Sequence, residues 1–283
     1  MFPAPFEYVR AESVAQARKL LAERGDDAKL LAGGHSLIPM MKLRLAQPSL
    51  LIDIGRIPGL AALEVSAERI RAGALVRHAA LASSAELRRA APALWDAANE
   101  LGDAQVRNRG TIGGACAHGD PLADYPAVML ALDAAFEIES DAPRRIGAGE
   151  FFMGMFETAL GPGDVLTALE FAPAPRSAYV KLHHPASHYA VAGAAVRLDV
   201  AAGKIVSARI GLTGVGFAPF RAAGAERALE GLAAGELETI RAACRGTASG
   251  IEVRADQYAG SAYRAAMADV VTARAVERAL SRS

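Results

Sequence analysis

The sequence predicts an α+β chain in two parts, and three observations carry that prediction. Through the first half, short apolar runs alternate with helical stretches at glycine turns. A proline-rich junction, Ala172-Pro173-Ala174-Pro175, then interrupts the chain. Beyond it the strand-like runs come first and the helical stretches afterwards, the order of an α+β domain. The junction divides the chain into residues 1–175 and 176–283, and the first part divides again at about residue 56.

The elements follow in order. Ser13 with Gln16 forms a capping box, apolar residues continue at helical spacing to Leu20 and Leu21, and Gly25 stops the helix. Lys29-Leu30-Leu31 is a short strand that ends at Gly33-Gly34, and Leu37 to Leu45 returns to helical spacing. Leu50 to Ile54 is a second strand, closed by Gly55. A hairpin over Glu64 to Leu75 precedes a helical stretch from Leu81 to Leu101. Gly102 to Asp124 reads as a long glycine-rich loop. Ala134 to Ile138 and Val165 to Phe171 are strands flanking the Phe151-Phe152 loop. After the junction, strands are predicted at Tyr179 to Leu182, Ala190 to Val200 and Ile205 to Val215, with Ala201-Ala202-Gly203 turning between the last two. Helices over Phe220 to Leu229, Glu236 to Ala248 and Ala262 to Leu280 complete the chain.

Composition removes several function classes. The 283 residues carry 31 basic and 31 acidic side chains, a formal net charge of +0, without a basic run that would neutralise phosphates along a nucleic acid. Although 52% of residues are hydrophobic, much of that is alanine, and no uncharged apolar run reaches the roughly eighteen residues of a membrane span. The opening Met-Phe-Pro-Ala-Pro-Phe-Glu has no basic segment leading into an apolar one, so a cytoplasmic location is expected. The 2 cysteines, Cys116 and Cys244, stand far apart and supply neither a four-cysteine iron–sulfur cluster nor a cysteine-only zinc site. Any redox group held by this chain must rest on backbone and oxygen atoms.

Two segments are candidates for that task. Leu31-Ala32-Gly33-Gly34-His35-Ser36 places paired glycines between a strand and a helix start, where backbone amides converge on an anion and Ser36 adds a hydroxyl. The same pair also suits a tight turn needing positive φ. Neither GxxxxGK[ST] nor GxGxxG is present there, which excludes the P-loop and the Rossmann fingerprint. Arg107 to Asp124 is a second segment, carrying four glycines and Thr111 in a span that is costly to order unless something fills it. Two such segments in one domain can grip a diphosphate from both sides. No GxSxG or other nucleophile–base set is present.

At AGGHSLIPMMKLRLAQP from Ala32 and QVRNRGTIGGACAHGDPLADYPA from Gln105, the chain resembles the FAD-binding medium subunit of the molybdenum hydroxylases, the xanthine dehydrogenase and carbon monoxide dehydrogenase family. The resemblance runs along essentially the whole chain. It implies an FAD-binding domain of the p-cresol methylhydroxylase type, with two subdomains, followed by a smaller C-terminal domain. It implies that Ala32, Gly33, Gly34, His35 and Ser36, with Thr111, Ile112, Gly113, Gly114 and Ala115, cradle the FAD diphosphate, and that Asp124 binds the adenosine side or the chain linking it. Leu166 and Lys181 match family positions that approach the flavin; a positive charge at the flavin N1–C2 edge would stabilise its reduced, anionic form. Electron transfer is the implied role, with no catalytic side chain for the substrate and no metal held here. The molybdenum cofactor is expected on a large partner subunit and 2Fe-2S clusters on a small one, in a dimer of heterotrimers.

The chain departs from the family at two places. Ala115 stands where Asn or Asp is usual, removing a polar contact to the cofactor and leaving open a scaffold subunit without flavin. His183-His184-Pro185-Ala186-Ser187-His188-Tyr189 replaces a commonly basic segment that carries an Asp, which bears on the electron acceptor and partner. A self-contained flavin oxidase of the same FAD-binding class is the rival enzyme reading; it usually needs a longer substrate domain. His183 and His184, adjacent on a strand, point to opposite faces and do not chelate one ion. Cys116 is expected as a small buried residue.

Overall fold

The computed structural model describes residues 2–282. A three-stranded parallel sheet comes first, with Glu7–Arg10, Leu50–Asp53 and Ala28–Leu31 side by side in that order. The helix Val14–Arg24 crosses between the first strand and Ala28–Leu31, as a parallel connection requires. Its cap is close to the predicted one: Gln16 N donates to Ser13 Oγ at 3.1 Å, while Glu12 N donates back to Gln16 Oε1 at 2.7 Å. Ala17 is the face it buries, against Ile52, Leu50 and Ala28.

The second sheet is antiparallel, ordered Leu63–Val65, Ile70–Gly73, Val165–Phe171, Ala135–Glu139, Arg144–Gly147. Its central strand, Val165–Phe171, is buried on both faces and reads as a nearly continuous apolar run. The helices between residues 78 and 131 cover one face, and Phe136 stacks on Phe151 with ring centroids 3.9 Å apart.

Two predicted elements differ here. Leu81 to Leu101 is three helices rather than one: His78–Ser83, Ala85–Ala90 and Pro92–Glu100. Ser84 ends the first and caps the second, accepting from Leu87 N at 3.1 Å. Ala91 precedes Pro92 and is driven out of the helical region, to φ −149°, which breaks the second from the third. Gly102 to Asp124 is not an extended loop either. It folds as Ala104–Arg109, capped by Asp103, and Ile112–His118, capped by Thr111 and stopped by Gly119 at φ 63°. The glycines inside the latter helix serve close packing: a Cβ on Gly113 would stand 2.4 Å from the Ala74 Cβ.

The third sheet is an antiparallel run of Ser177–His183, Ala190–Ala201, Lys204–Thr213 and Phe220–Arg221. Ala202 and Gly203, at φ 50° and 73°, form the two-residue turn that matches strand twist. The helix Ser261–Leu280 lies along this sheet and buries Ala268, Val271, Ala275 and Val276 against Ala194, Val196, Ile210 and Leu212. Two shorter helices follow the predicted stretches only in part: Ala223–Leu229 is the end of Phe220 to Leu229, whose first residues form the strand Phe220–Arg221, and Leu237–Ala243 is the first part of Glu236 to Ala248.

The C-terminal sheet is fastened to the helix Asp124–Ala131. Gly211 faces this helix so closely that a Cβ would come 2.0 Å from the Ala127 carbonyl oxygen. A second fastening is Asp96, which accepts from both terminal nitrogens of Arg282, at 2.8 and 2.9 Å, and from Tyr179 N. Among the described residues no helix is long and apolar enough to cross a membrane.

Candidate functional site

A cleft of about 740 Å³ opens where the parallel sheet meets the helix Ile112–His118, a volume within the roughly 300–1,000 Å³ usual for small-molecule and cofactor sites. Every residue that lines it falls between Lys29 and Leu166. It lies beyond the carboxyl end of the strand Ala28–Leu31, the end at which parallel strands present ligand sites.

The first segment leaves this strand at Ala32 and turns through Gly34, at φ 76°, into the helix Leu37–Lys42. Among the described residues the amides of Gly33, Gly34, His35, Ser36 and Leu37 donate to no protein acceptor, although all five residues line the cleft. A run of free N–H groups lining a cleft is suited to cradling an anion. The second segment touches the first directly. A Cβ on Gly33 would stand 2.3 Å from the Arg109 carbonyl oxygen and 2.8 Å from the Gly110 Cα, so only glycine permits the approach.

The two segments are not equivalent donors. Ile112 N donates to Val76 O, Gly113 N to Ala74 O, Gly114 N to Thr111 Oγ1 and Ala115 N to Thr111 O, at 2.9–3.2 Å. These four amides are already used in anchoring the helix. The second segment therefore offers a tightly packed wall and the Thr111 hydroxyl, whose oxygen accepts from Gly114 and whose proton is free to donate.

Of the thirteen residues expected at a cofactor, ten line the cleft: Ala32, Gly33, Gly34, His35, Ser36, Thr111, Gly113, Gly114, Ala115 and Leu166. The structure does not bring the other three there. Ile112 is fully buried in the core beneath the second sheet, because its neighbours Gly113 and Gly114 turn the opposite face to the cleft. Asp124 and Lys181 face each other instead. Lys181 Nζ donates to Asp124 Oδ2 at 3.0 Å and to His188 O at 2.9 Å, and the Tyr179 hydroxyl donates to Asp124 Oδ1 at 2.5 Å. Both side chains are almost entirely buried. Burial raises the Asp124 carboxyl from its ordinary value, against the pull of Lys181. The pair joins the helix Asp124–Ala131 to the strand Ser177–His183.

Sequence reasoning passed over several cleft residues, among them His78, Asp120, Phe156 and Asp164. A lone histidine at a helix start carries no motif, yet His78 is 3% exposed on the cleft floor, with Nδ1 3.0 Å from the Tyr125 hydroxyl. Desolvation lowers its pKa to about 4, with His35 and Arg107 adding to the effect. His118 packs on Phe156, centroids 5.1 Å apart, and burial lowers its pKa too.

The C-terminal histidines build a turn. The strand ends at His183, so His184 lies outside it, its Nδ1 accepting from Ala186 N and Ser187 N. His183 stacks on His188. Cys116 is fully buried and burial pushes its thiol well up, so it packs as a small hydrophobe.

Comparison with known proteins agrees with this architecture. Residues 4–174 match the family model described as the FAD binding domain in molybdopterin dehydrogenase, and residues 177–279 match the CO dehydrogenase flavoprotein C-terminal domain. The carbon monoxide dehydrogenase medium chain of Afipia carboxidovorans is 40% identical over 288 residues, covering 100% of this chain and 99% of that one. The 6-hydroxypseudooxynicotine dehydrogenase complex subunit alpha of Paenarthrobacter nicotinovorans is 37% identical, covering 100% and 97%. Among solved structures, a carbon monoxide dehydrogenase from Hydrogenophaga pseudoflava that lacks the Mo-pyranopterin moiety superposes with a TM-score of 0.94, at 40% identity over 99% of each chain. Two consecutive family matches, full-length relatives and a matching solved fold place the chain in the FAD-binding medium-subunit family of the molybdenum hydroxylases, an oxidoreductase subunit of the carbon monoxide dehydrogenase and xanthine dehydrogenase kind.

Proposed function

We propose that this chain holds FAD in the cleft between its two glycine segments and acts as the electron-transfer subunit of a molybdenum hydroxylase. Electrons would arrive from iron–sulfur clusters on a small partner subunit, downstream of a molybdenum centre on a large one, and leave to an external acceptor. The observation that carries this reading is the run of five free amides, Gly33 to Leu37, lining a cofactor-sized cleft directly beside Thr111.

The residues fit a dinucleotide in charge and in shape. The free amides and the Thr111 hydroxyl donate to a diphosphate without any cationic side chain. Gly33 lets the two segments close on it from both sides, and Ala32, Ser36 and the small residues Gly113, Gly114 and Ala115 leave the wall open. Leu166 and Leu75 supply apolar surface at which a ring system excludes water. Bound FAD supplies a group that takes up electrons singly or in pairs and passes them on. Asp124 and Lys181 act as a buried tie behind the cleft, holding the C-terminal strand against the helix whose preceding loop, through Asp120, borders the site.

Residues 1–175 are read as the FAD-binding unit, split near residue 56 between the parallel and antiparallel sheets, and residues 176–283 as the C-terminal unit. Two features support partners beside the cleft. Leu45 and Phe156 stand exposed on its rim, with Leu43, Met153 and Met155 exposed nearby, as apolar side chains do where a partner covers them. Relatives are also named as a medium chain and as one subunit of a complex. A dimer of large, medium and small chains is the assembly we infer.

The test is to purify the full chain alone and co-expressed with its large and small partners. The reading predicts about one FAD per chain by absorption, with dye reduction only in the complex. A colourless chain even within the complex would sink it, and substrate oxidation by the chain alone would favour a self-contained oxidase.

A further inference from the structure

His78 begins the helix His78–Ser83 on the floor of the cleft, and among the described residues its side chain makes one hydrogen bond, the 3.0 Å approach of Nδ1 to the Tyr125 hydroxyl. Tyr125 is fully buried, and burial raises its hydroxyl pKa well above the ordinary value, so that oxygen keeps its proton. The hydroxyl has no other hydrogen-bond partner among the described residues. Were Nδ1 protonated, the tyrosine proton would be buried without an acceptor, at a cost that donation from Tyr125 to Nδ1 avoids. The ring proton of His78 therefore sits on Nε2.

Among the described residues that nitrogen has no hydrogen-bond partner, and the side chain that carries it lines the cleft. It lies against Gly110, where a Cβ would come within 2.4 Å of it, and Gly110 is the residue that Gly33 approaches from the other segment. A donor fixed in a single tautomer thus sits at Gly110, where the two glycine segments meet, in the same cleft that the free amides of Gly33 to Leu37 line. A charged side chain so deeply buried would need a partner at all times, whereas a neutral imidazole does not. The lowered pKa of about 4 keeps it in that form through the physiological range.

We infer that His78 is a cofactor-binding residue whose Nε2–H donates to the diphosphate of the dinucleotide, with Tyr125 as the positioning residue that fixes its tautomer. The inference rests on the reading of the cleft as the FAD site. It adds a side-chain donor outside both glycine segments to the amides and the Thr111 hydroxyl.

The experiment titrates purified full-length wild type, His78→Gln and His78→Leu with FAD and, separately, with riboflavin, which has no phosphate, following flavin fluorescence. Losing a hydrogen bond to a charged acceptor predicts that His78→Leu binds FAD about tenfold to a hundredfold more weakly, while its riboflavin affinity moves less than about threefold. His78→Gln, which returns an N–H near the Nε2 position, is expected within about threefold of wild type for both. Unchanged FAD affinity in His78→Leu, equal loss of both ligands, or a glutamine variant as weak as the leucine one would each overturn the assignment. Should His78→Leu fail to fold, 15N-histidine-labelled wild type decides: FAD must shift the Nε2 resonance and riboflavin must not, and no shift with FAD contradicts the contact. A wild type that binds no FAD at all refutes the reading of the cleft, whereas a wild type that binds FAD while the variants match it refutes only the role of His78.

Discussion

Gly33 has no room for a side chain, and the consequence is measurable. A methyl group there would meet the backbone of Arg109 and Gly110 at 2.3–2.8 Å, and backbone cannot rotate aside as a side-chain tip can. Gly33→Ala is expected to push the two segments apart, costing about 1–3 kcal/mol in chemical denaturation and weakening FAD retention on gel filtration by at least about tenfold. His78 gives a second test at the scale of one residue, through pH. Its folded-state pKa of about 4 lies below the unfolded value of 6.5, so the unfolded chain binds the extra proton between those two values. Stability contributed by the neutral ring is complete above pH 6.5, falls as pH drops through the window and is gone below pH 4. The shift corresponds to about 3 kcal/mol. Urea denaturation from pH 7 to pH 4 should show a fall in stability that is smaller in His78→Gln than in the wild type by about that amount, the remainder coming from His118 and other groups; equal slopes would contradict the assignment. Neither His78 nor the Asp124–Lys181 pair was legible in the sequence. A single histidine has no spacing to read, and a pair 57 positions apart meets only through the packing of a helix from one domain on a strand from the other.

At the scale of elements, what could be read depended on whether the signal was local. The helix Val14–Arg24 was legible because its cap, apolar spacing and closing glycine all lie within one segment. The strand Glu7–Arg10 gave no such signal: it is an edge strand with mostly exposed side chains and no alternation. Leu81 to Leu101 reads as one helix until Ser84 and the Ala91-Pro92 step are given their geometric weight. The helix Ile112–His118 was hidden by its own glycines, since close approach to another backbone and freedom to turn produce the same residue. The ties between elements make a prediction here. Lys181→Met leaves the buried Asp124 carboxylate without its cation, and is expected to destabilise the chain by about 3–5 kcal/mol in denaturant titration. Replacing both partners, Lys181→Met with Asp124→Leu, should recover much of that loss. A double variant no more stable than Lys181→Met would show that the pair does not act as a unit.

The whole molecule divides its tasks between its parts. All the cleft-lining residues come from the first 166 positions, and the C-terminal sheet supports them from behind through Asp96 with Arg282 and Asp124 with Tyr179 and Lys181. The two cysteines are buried and apart and form no four-cysteine iron–sulfur cluster, so in the proposed function the clusters that feed the flavin sit on another polypeptide. Leu45 and Phe156, exposed on the cleft rim, are the surface proposed above for that contact. The central claim is therefore transfer: FAD held in this cleft takes electrons from an iron–sulfur partner. The most direct measurement is anaerobic stopped-flow absorption of the assembled complex on addition of its reducing substrate, beside a complex lacking only the small iron–sulfur subunit. The account predicts bleaching of the flavin band in the complete complex and none without the small subunit. Bleaching that is equally fast without it, or a complete complex whose flavin stays oxidised while substrate is consumed, would contradict the account.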